Sequence, residues 1–301
     1  MQDNFFQQQD LPSLPKDFHG SHIHFVGIKG TGMTALVEIL FHKGAIITGS
    51  DVSERFYTDE VLENLGLHSL PFSEKNITDD IEYVIYSSAY KLEQNPDLIE
   101  ACRRGIPCLL YTQALGSYSR RAYSCGVSGV HGKTSTTGLV GTILKEIDLP
   151  SQILSGSAIN SFGGKCTYTS PIIEEERESE KNIFTSCNKE QNNFKLPSIF
   201  VAETCEYQRH FMSFCPQKII LTSVESDHED YYPTYQNILE AFVDYICLLP
   251  KNGEVIYCAD DNGACEAVRL AKEKRDDIVF FPYGKTSNGD FALSFGKVEN
   301  E

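Results

Sequence analysis

Gly126-Val127-Ser128-Gly129-Val130-His131-Gly132-Lys133-Thr134 stands between an apolar run, Ala122 to Val127, and a stretch with helical apolar spacing, Thr136 to Ile147. A glycine-rich turn between a strand and a helix lets backbone N–H groups wrap around phosphates at the positive end of the helix. In such a turn Lys133 supplies a point charge to the β- and γ-phosphates, and the Thr134 hydroxyl reaches magnesium. The loop departs from G-x-x-x-x-G-K-[ST], which asks for glycine at position 127, where this chain has valine. A chance Gly-Lys-Thr on a surface turn is the competing account, and the flanking strand and helix weigh against it.

Working outward, Ile199 to Val201 and Ile219 to Val224 read as buried strands, each followed by acidic residues. Upstream, an apolar run (Ile23, Phe25, Val26) leads through a glycine turn to helical spacing at Ala35, Leu36, Ile39 and Leu40. A second run, Ala45 to Thr48, closes on Gly49-Ser50-Asp51, which completes a βαβ unit. Further strands at Tyr83 to Tyr86 and Pro107 to Tyr111 flank a helical stretch, Leu98 to Arg104. The expected fold is α/β, with two successive domains built on mainly parallel sheets. The first, residues 1–121, is Rossmann-like; the second, 122–301, is of the phosphate-loop ATPase type. Lys165 to Pro197 is rich in charge and amide groups, includes Glu174-Glu175-Glu176-Arg177-Glu178 and has no steady period. It is expected to be a mobile surface insertion.

A chain of 301 residues with 41% hydrophobic content buries a sizeable core. Twenty-six basic residues against 42 acidic ones leave a charge of −16, which opposes nucleic acid and anionic membranes as partners. An anionic substrate remains compatible, because backbone N–H groups and one or two lysines make a local positive site. The ten cysteines form no C-x-x-C pair and fit neither a zinc cluster nor a disulfide framework; reduced thiols in a cytoplasm are expected. Met1 to Asp10 is polar and no apolar run approaches the roughly 18 residues that span a bilayer, so neither export nor membrane insertion is expected.

Glu203 and His228 each follow a strand, and ligands gather at the carboxyl ends of strands in open parallel sheets. Magnesium prefers oxygen, which makes Glu203 and Thr134 natural ligands and His228 a less orthodox one. The plainer accounts are a solvated strand end for Glu203 and a helix cap with Asp227 for His228. Gly27, Gly30 and Gly32 have offsets of 3 and 5, whereas the dinucleotide fingerprint needs 2 and 5, which argues against NAD. A glycine turn opening a helix still makes a diphosphate site, with Asp51 at the end of the next strand placed for a ribose or uridine contact. A tight turn used only for helix–sheet packing is the alternative. Asp260-Asp261-Asn262 is either a ribose or adenine contact or a polar turn. Arg209 and His210 are substrate-facing or merely exposed, while Met212 and Phe214 belong to the core.

Gly129-Val130-His131-Gly132-Lys133-Thr134-Ser135-Thr136-Thr137 resembles the G-[TV]-[HN]-G-K-T-[ST]-T-T loop of Mur ligases, which tolerates the missing first glycine. Val201 to Tyr207 resembles that family's E-[AT]-[CD]-E block, Thr222 to His228 its T-[NS]-x-x-x-D-H block, and Gly27 to Met33 its N-terminal G-I-x-G-x-G-M. The likeness runs from about Ile23 to Asp261. It implies an ATP- and Mg2+-dependent amide ligase of peptidoglycan synthesis, with Lys133, Glu203 and His228 catalytic and Thr134, Glu203 and His228 holding the metal. ATP contacts are implied for Gly129, Val130, His131, Gly132, Lys133, Thr134 and Ser135. The first domain is implied to hold the UDP part of the substrate through Gly27, Gly30, Thr31, Gly32, Met33 and Asp51, with Ser87 and Ser88 matching the family's S-S-A. His131 occupies a position that accepts asparagine, which limits it to nucleotide contact. Pro71-Phe72 stands where many relatives carry Gly-His.

Gly30-Thr31-Gly32-Met33 points to the branch that joins L-alanine to UDP-N-acetylmuramate through an acyl phosphate. Alternatives are sister ligases adding another amino acid or a recycled peptide, folate glutamate ligases, and a non-catalytic nucleotide-sugar-binding module. Similar ligases continue into a third α/β domain, and nothing before Glu301 matches it; the expectation is a truncated chain missing its C-terminal domain.

Overall fold

The computed structural model describes residues 13–15, 17–173, 198–288 and 291–294. In the first sheet β1 (His22–Val26), β2 (Ile46–Ser50), β3 (Tyr83–Tyr86) and β4 (Cys108–Leu110) lie in the order β2-β1-β3-β4, all parallel. Every residue of β1 is buried, as expected for a central strand covered on both faces. The crossovers are α1 (Thr31–His42), the short α2 (Thr58–Asn64) and α3 (Pro96–Arg103). Asn95 starts α3 by accepting from Asp97 N (3.0 Å) and Leu98 N (3.3 Å), with Pro96 at the first helical position. The expected strand at Pro107 to Tyr111 ends one residue early. Tyr111 instead opens α4 (Tyr111–Ser119), where Gln113 Oε1 accepts from Leu110 N at 2.9 Å.

The second sheet is built from β5 (Tyr123–Ser128), β6 (Ser151–Ile159), β7 (Lys165–Thr169), β8 (Ile199–Glu203), β9 (Lys218–Leu221), β10 (Glu254–Cys258) and β11 (Val279–Tyr283). Its order is β11-β10-β9-β5-β8-β6-β7, parallel throughout except for β7, which runs antiparallel to β6. The helices α5 (Lys133–Glu146), α6 (Tyr235–Cys247) and α7 (Asn262–Lys274) connect them. Phe211 stacks on Tyr245 at 4.4 Å between ring centroids, within a core that also takes Phe200, Phe214 and Phe242; Met212 packs against it. The molecule is therefore α/β with two mainly parallel sheets. Among the described residues no helix is long and apolar enough to cross a membrane.

Two expectations need correction. Residues 165–169, read as the start of an insertion, form β7 with Cys166 and Thr167 buried, because the edge of the sheet supplies a partner that local composition does not reveal. Of the remainder of the expected insertion, 174–197 lies outside the described residues. The strand expected to run to Val224 stops at Leu221, since Thr222 and Ser223 turn beneath the phosphate loop. Asp260 and Asp261, read as either a ribose or adenine contact or a polar turn, do make a polar turn: Asp261 Oδ1 caps α7 by accepting from Ala264 N (2.7 Å), and Asp260 accepts from Lys285 N and Thr286 N.

The two sheets meet where α1 packs on β6 and β7. Glu38, 4% exposed on α1, is bound by Lys165 Nζ at 3.1 Å and accepts from the Thr167 hydroxyl. This contact sets the glycine turn after β1 on one side of a cleft and the loop after β5 on the other.

Candidate nucleotide and metal site

β5 carries the chain through the buried Val127, which pairs with Glu203 and Ile220 on its two neighbours. Position 127 is thus a core strand residue, which accounts for valine in place of the expected glycine. The turn then needs Gly129 at φ +140° and Gly132 at φ +81°. No side chain caps α5, so the first-turn N–H groups at Lys133, Thr134 and Ser135 face outward as an anion site. The loop is pinned from below. Val130 N donates to Ser223 O (3.1 Å), His131 N to Ser223 Oγ (3.0 Å), and Thr222 Oγ1 to His131 O (2.6 Å). His131 itself points to solvent with a side chain 71% exposed.

Thr134 Oγ1 donates to Glu203 Oε2 at 3.1 Å. The other Glu203 oxygen accepts from Ser155 Oγ (3.0 Å) and Gly156 N (2.7 Å), which fixes the carboxylate. Two oxygens bound side by side to octahedral magnesium at about 2.1 Å lie roughly 3.0 Å apart, so Thr134 and Glu203 fit such a cation. Among the described contacts, none joins His228 to this pair. Its Nε2 lies 3.2 Å from Glu206 Oε1 and 3.8 Å from Asp227 Oδ2. Glu206, Asp227 and His228 form the described group of such residues whose ligand atoms fall within 4.8 Å of one another. Lys133 Nζ also turns to Glu206, at 2.9 and 3.1 Å.

Across the cleft, Gly30 precedes α1, again with no side-chain cap, and Tyr57 OH donates to Thr31 Oγ1 at 2.7 Å. Gly30, Thr31, Gly32, Met33, Ser87 and Ser88 line one cavity of about 230 Å3, together with Tyr111 and His210. An adjoining cavity of about 240 Å3 is lined by Gly32, Tyr111, Lys133, Glu203 and His210. Burial, then the Glu203 charge, pushes the Tyr111 phenol up, and burial pushes the His210 imidazole down. Both groups therefore face the cleft uncharged at neutral pH. Gly27 and Asp51 support the turn from behind. Gly27, at φ +84°, leaves room for the Tyr90 ring, and Asp51 accepts from Lys29 N (2.7 Å), Val52 N (2.8 Å) and Tyr90 OH (3.1 Å).

Residues 22–123 match the pattern of the Mur ligase family, catalytic domain, and residues 127–299 that of the Mur ligase middle domain. The chain belongs to the Mur ligase family. A UDP-N-acetylmuramate--L-alanine ligase of Treponema pallidum is 45% identical over 289 residues, covering 96% of this chain and 55% of that protein. The ligase of the same name in Borreliella burgdorferi is 35% identical over 285 residues, covering 93% and 55%. Among solved structures, a UDP-N-acetylmuramate:L-alanyl-gamma-D-glutamyl-meso-diaminopimelate ligase from Neisseria meningitides superposes with a TM-score of 0.70 at 21% identity, over 89% of this chain and 78% of that one. That likeness is one of fold. The chain spans about half the length of the curated relatives it matches.

Within this Mur ligase framework, the sequence singled out the loop, Thr134 and Glu203 but passed over four residues that surround them. Thr222 and Ser223 open the segment that resembles T-[NS]-x-x-x-D-H, and their work is to hold the loop. Glu206 closes the segment that resembles E-[AT]-[CD]-E, and it faces the loop lysine. Tyr111 carries no sequence signal, because its place depends on α4 starting directly from β4.

Proposed function

We propose that this chain forms the nucleotide-sugar and ATP portion of a ligase that joins L-alanine to UDP-N-acetylmuramate, with residues 1–121 holding the sugar nucleotide and 122–301 the ATP. The observation that carries this reading is the shared cleft. Gly32 of the first glycine turn lines the same cavity as Lys133 and Glu203, so a carboxylate presented from one side reaches a phosphate cradled on the other.

A free carboxylate has no adequate leaving group for an attacking amine. Transfer of the γ-phosphoryl group to a carboxylate oxygen, with departure of ADP, supplies one. The alanine nitrogen then attacks the carbonyl carbon, and the tetrahedral intermediate expels phosphate and forms the amide. Lys133 and the uncapped N–H groups of α5 neutralise the transferring group. Thr134 and Glu203 are the residues that would hold Mg2+, which when bound adds further charge neutralisation; His228, which the family resemblance adds to them, contacts Glu206 and Asp227 instead. Tyr111 and His210 line the acceptor side as neutral hydrogen-bonding groups.

Calorimetry with ATP and magnesium tests the reading. The chain is expected to bind ATP, and Lys133→Ala to weaken binding by tenfold or more while also lowering the thermal midpoint, because the buried Glu206 carboxylate loses its counter-charge. Equal affinity of the two forms would remove the phosphate-loop assignment. With ATP present, a panel of amino acids added to UDP-N-acetylmuramate is expected to release phosphate fastest with L-alanine.

A further inference from the structure

The Lys133 ammonium has three protons, and four acceptors surround it: Gly129 O at 2.5 Å, Val130 O at 3.2 Å and the two Glu206 oxygens at 3.1 and 2.9 Å. Its hydrogen-bonding capacity is filled without any phosphate. The Glu206 side chain is 2% exposed, and it is anchored by its own backbone: Glu206 O accepts from Tyr232 OH at 2.6 Å and from Arg209 N at 2.9 Å. Its Oε1, one of the two oxygens that meet Lys133, also lies 3.2 Å from His228 Nε2.

We propose that Glu206 is a positioning residue that holds Lys133 back against its own loop and competes with the nucleotide phosphates for it. This rests on reading the loop as an ATP site. A charge-assisted bond is about twice as strong as a neutral one. A phosphate arriving at the loop must therefore draw the ammonium away from a buried carboxylate, and the flexible lysine stem permits that swing. Glu206 fixes where the ammonium waits and lowers the affinity that the loop would otherwise have.

The test is a double-mutant cycle on the binding of AMPPNP with magnesium, followed by calorimetry on the whole chain. Glu206→Gln keeps the shape and one acceptor but loses the charge; it is expected to tighten binding about tenfold. In a Lys133→Met background the same change is expected to have no effect, because the competitor acts through the lysine. Glu206→Asp, with its charge drawn back by one methylene, is expected to tighten binding less and serves if the glutamine variant does not fold. A purely structural role would weaken binding, not tighten it. Unchanged or weaker binding in Glu206→Gln, or tightening that persists without Lys133, overturns the proposal. If Lys133→Met binds as the wild type does, or the wild type binds nothing, the ATP reading itself falls and takes this one with it. If Lys133→Met weakens binding while Glu206→Gln changes nothing, only this proposal falls.

Discussion

At Gly129 the backbone sits at φ +140°, and a Cβ there would lie 2.1 Å from Thr222 Oγ1 and 2.8 Å from Ser223 N. Both atoms belong to the segment that pins the loop, so neither is free to move aside. Gly129→Ala is expected to cost about 2 kcal/mol or more, seen as a lowered thermal midpoint, and to weaken nucleotide binding with it. Wild-type values for both would mean that the loop relaxes without loss. His210 gives a pH-dependent counterpart. Burial holds its pKa below the usual 6.5, so just under that pH the unfolded chain binds a proton that the folded one does not. Stability then rises with pH in this window and is lost as pH falls below about 6.5. Between pH 7 and 5.5 the wild-type midpoint is expected to fall more steeply than that of His210→Gln. Parallel curves would show that His210 titrates normally. What a single residue does was only partly legible beforehand: Glu206 stands three residues after Glu203, yet nothing in sequence order says that its carboxylate reaches a lysine 73 positions earlier.

Elements were read most securely where they were central. β3 was expected at Tyr83 to Tyr86 and occurs there, because an apolar run buried on both faces has no other use. β7 was missed because a five-residue edge strand, Lys165-Cys166-Thr167-Tyr168-Thr169, depends on β6 being there to pair with. Asp51 was read as placed for a ribose or uridine contact from its position after β2; its oxygens accept from Lys29 N, Val52 N and Tyr90 OH, contacts that sequence position does not reveal. The missed strand also brings the partner for Glu38. Glu38→Ala would leave the buried Thr167 hydroxyl without its acceptor and Lys165 without its counter-charge, a loss of about 1–3 kcal/mol. Because α1 also forms the wall of the cleft, the variant is expected to weaken sugar-nucleotide binding as well as lower the thermal midpoint. A lowered midpoint with intact binding would mean that the contact serves stability alone.

For the whole molecule, a charge of −16 coexists with two sites shaped for anions, which is consistent only if the positive potential is local. Here it is: two uncapped helix starts and one lysine face the cleft. In the proposed function, binding of a nucleotide sugar would draw on the first of these starts, whereas amide formation would draw on everything that must close over the reacting groups. The matched relatives are nearly twice as long as the stretch they share with this chain. Proximity and water exclusion carry much of the rate in such reactions. These 301 residues alone are therefore expected to bind UDP-N-acetylmuramate, to do so equally well after Lys133→Ala, and to release phosphate several orders of magnitude below the roughly 10 per second of an ordinary enzyme. Calorimetry alongside a phosphate-release assay measures both. Turnover at the ordinary rate would show that the cleft described here is sufficient by itself. Failure of the folded chain to bind the sugar nucleotide would remove the first glycine turn from the substrate site and leave the phosphate loop standing.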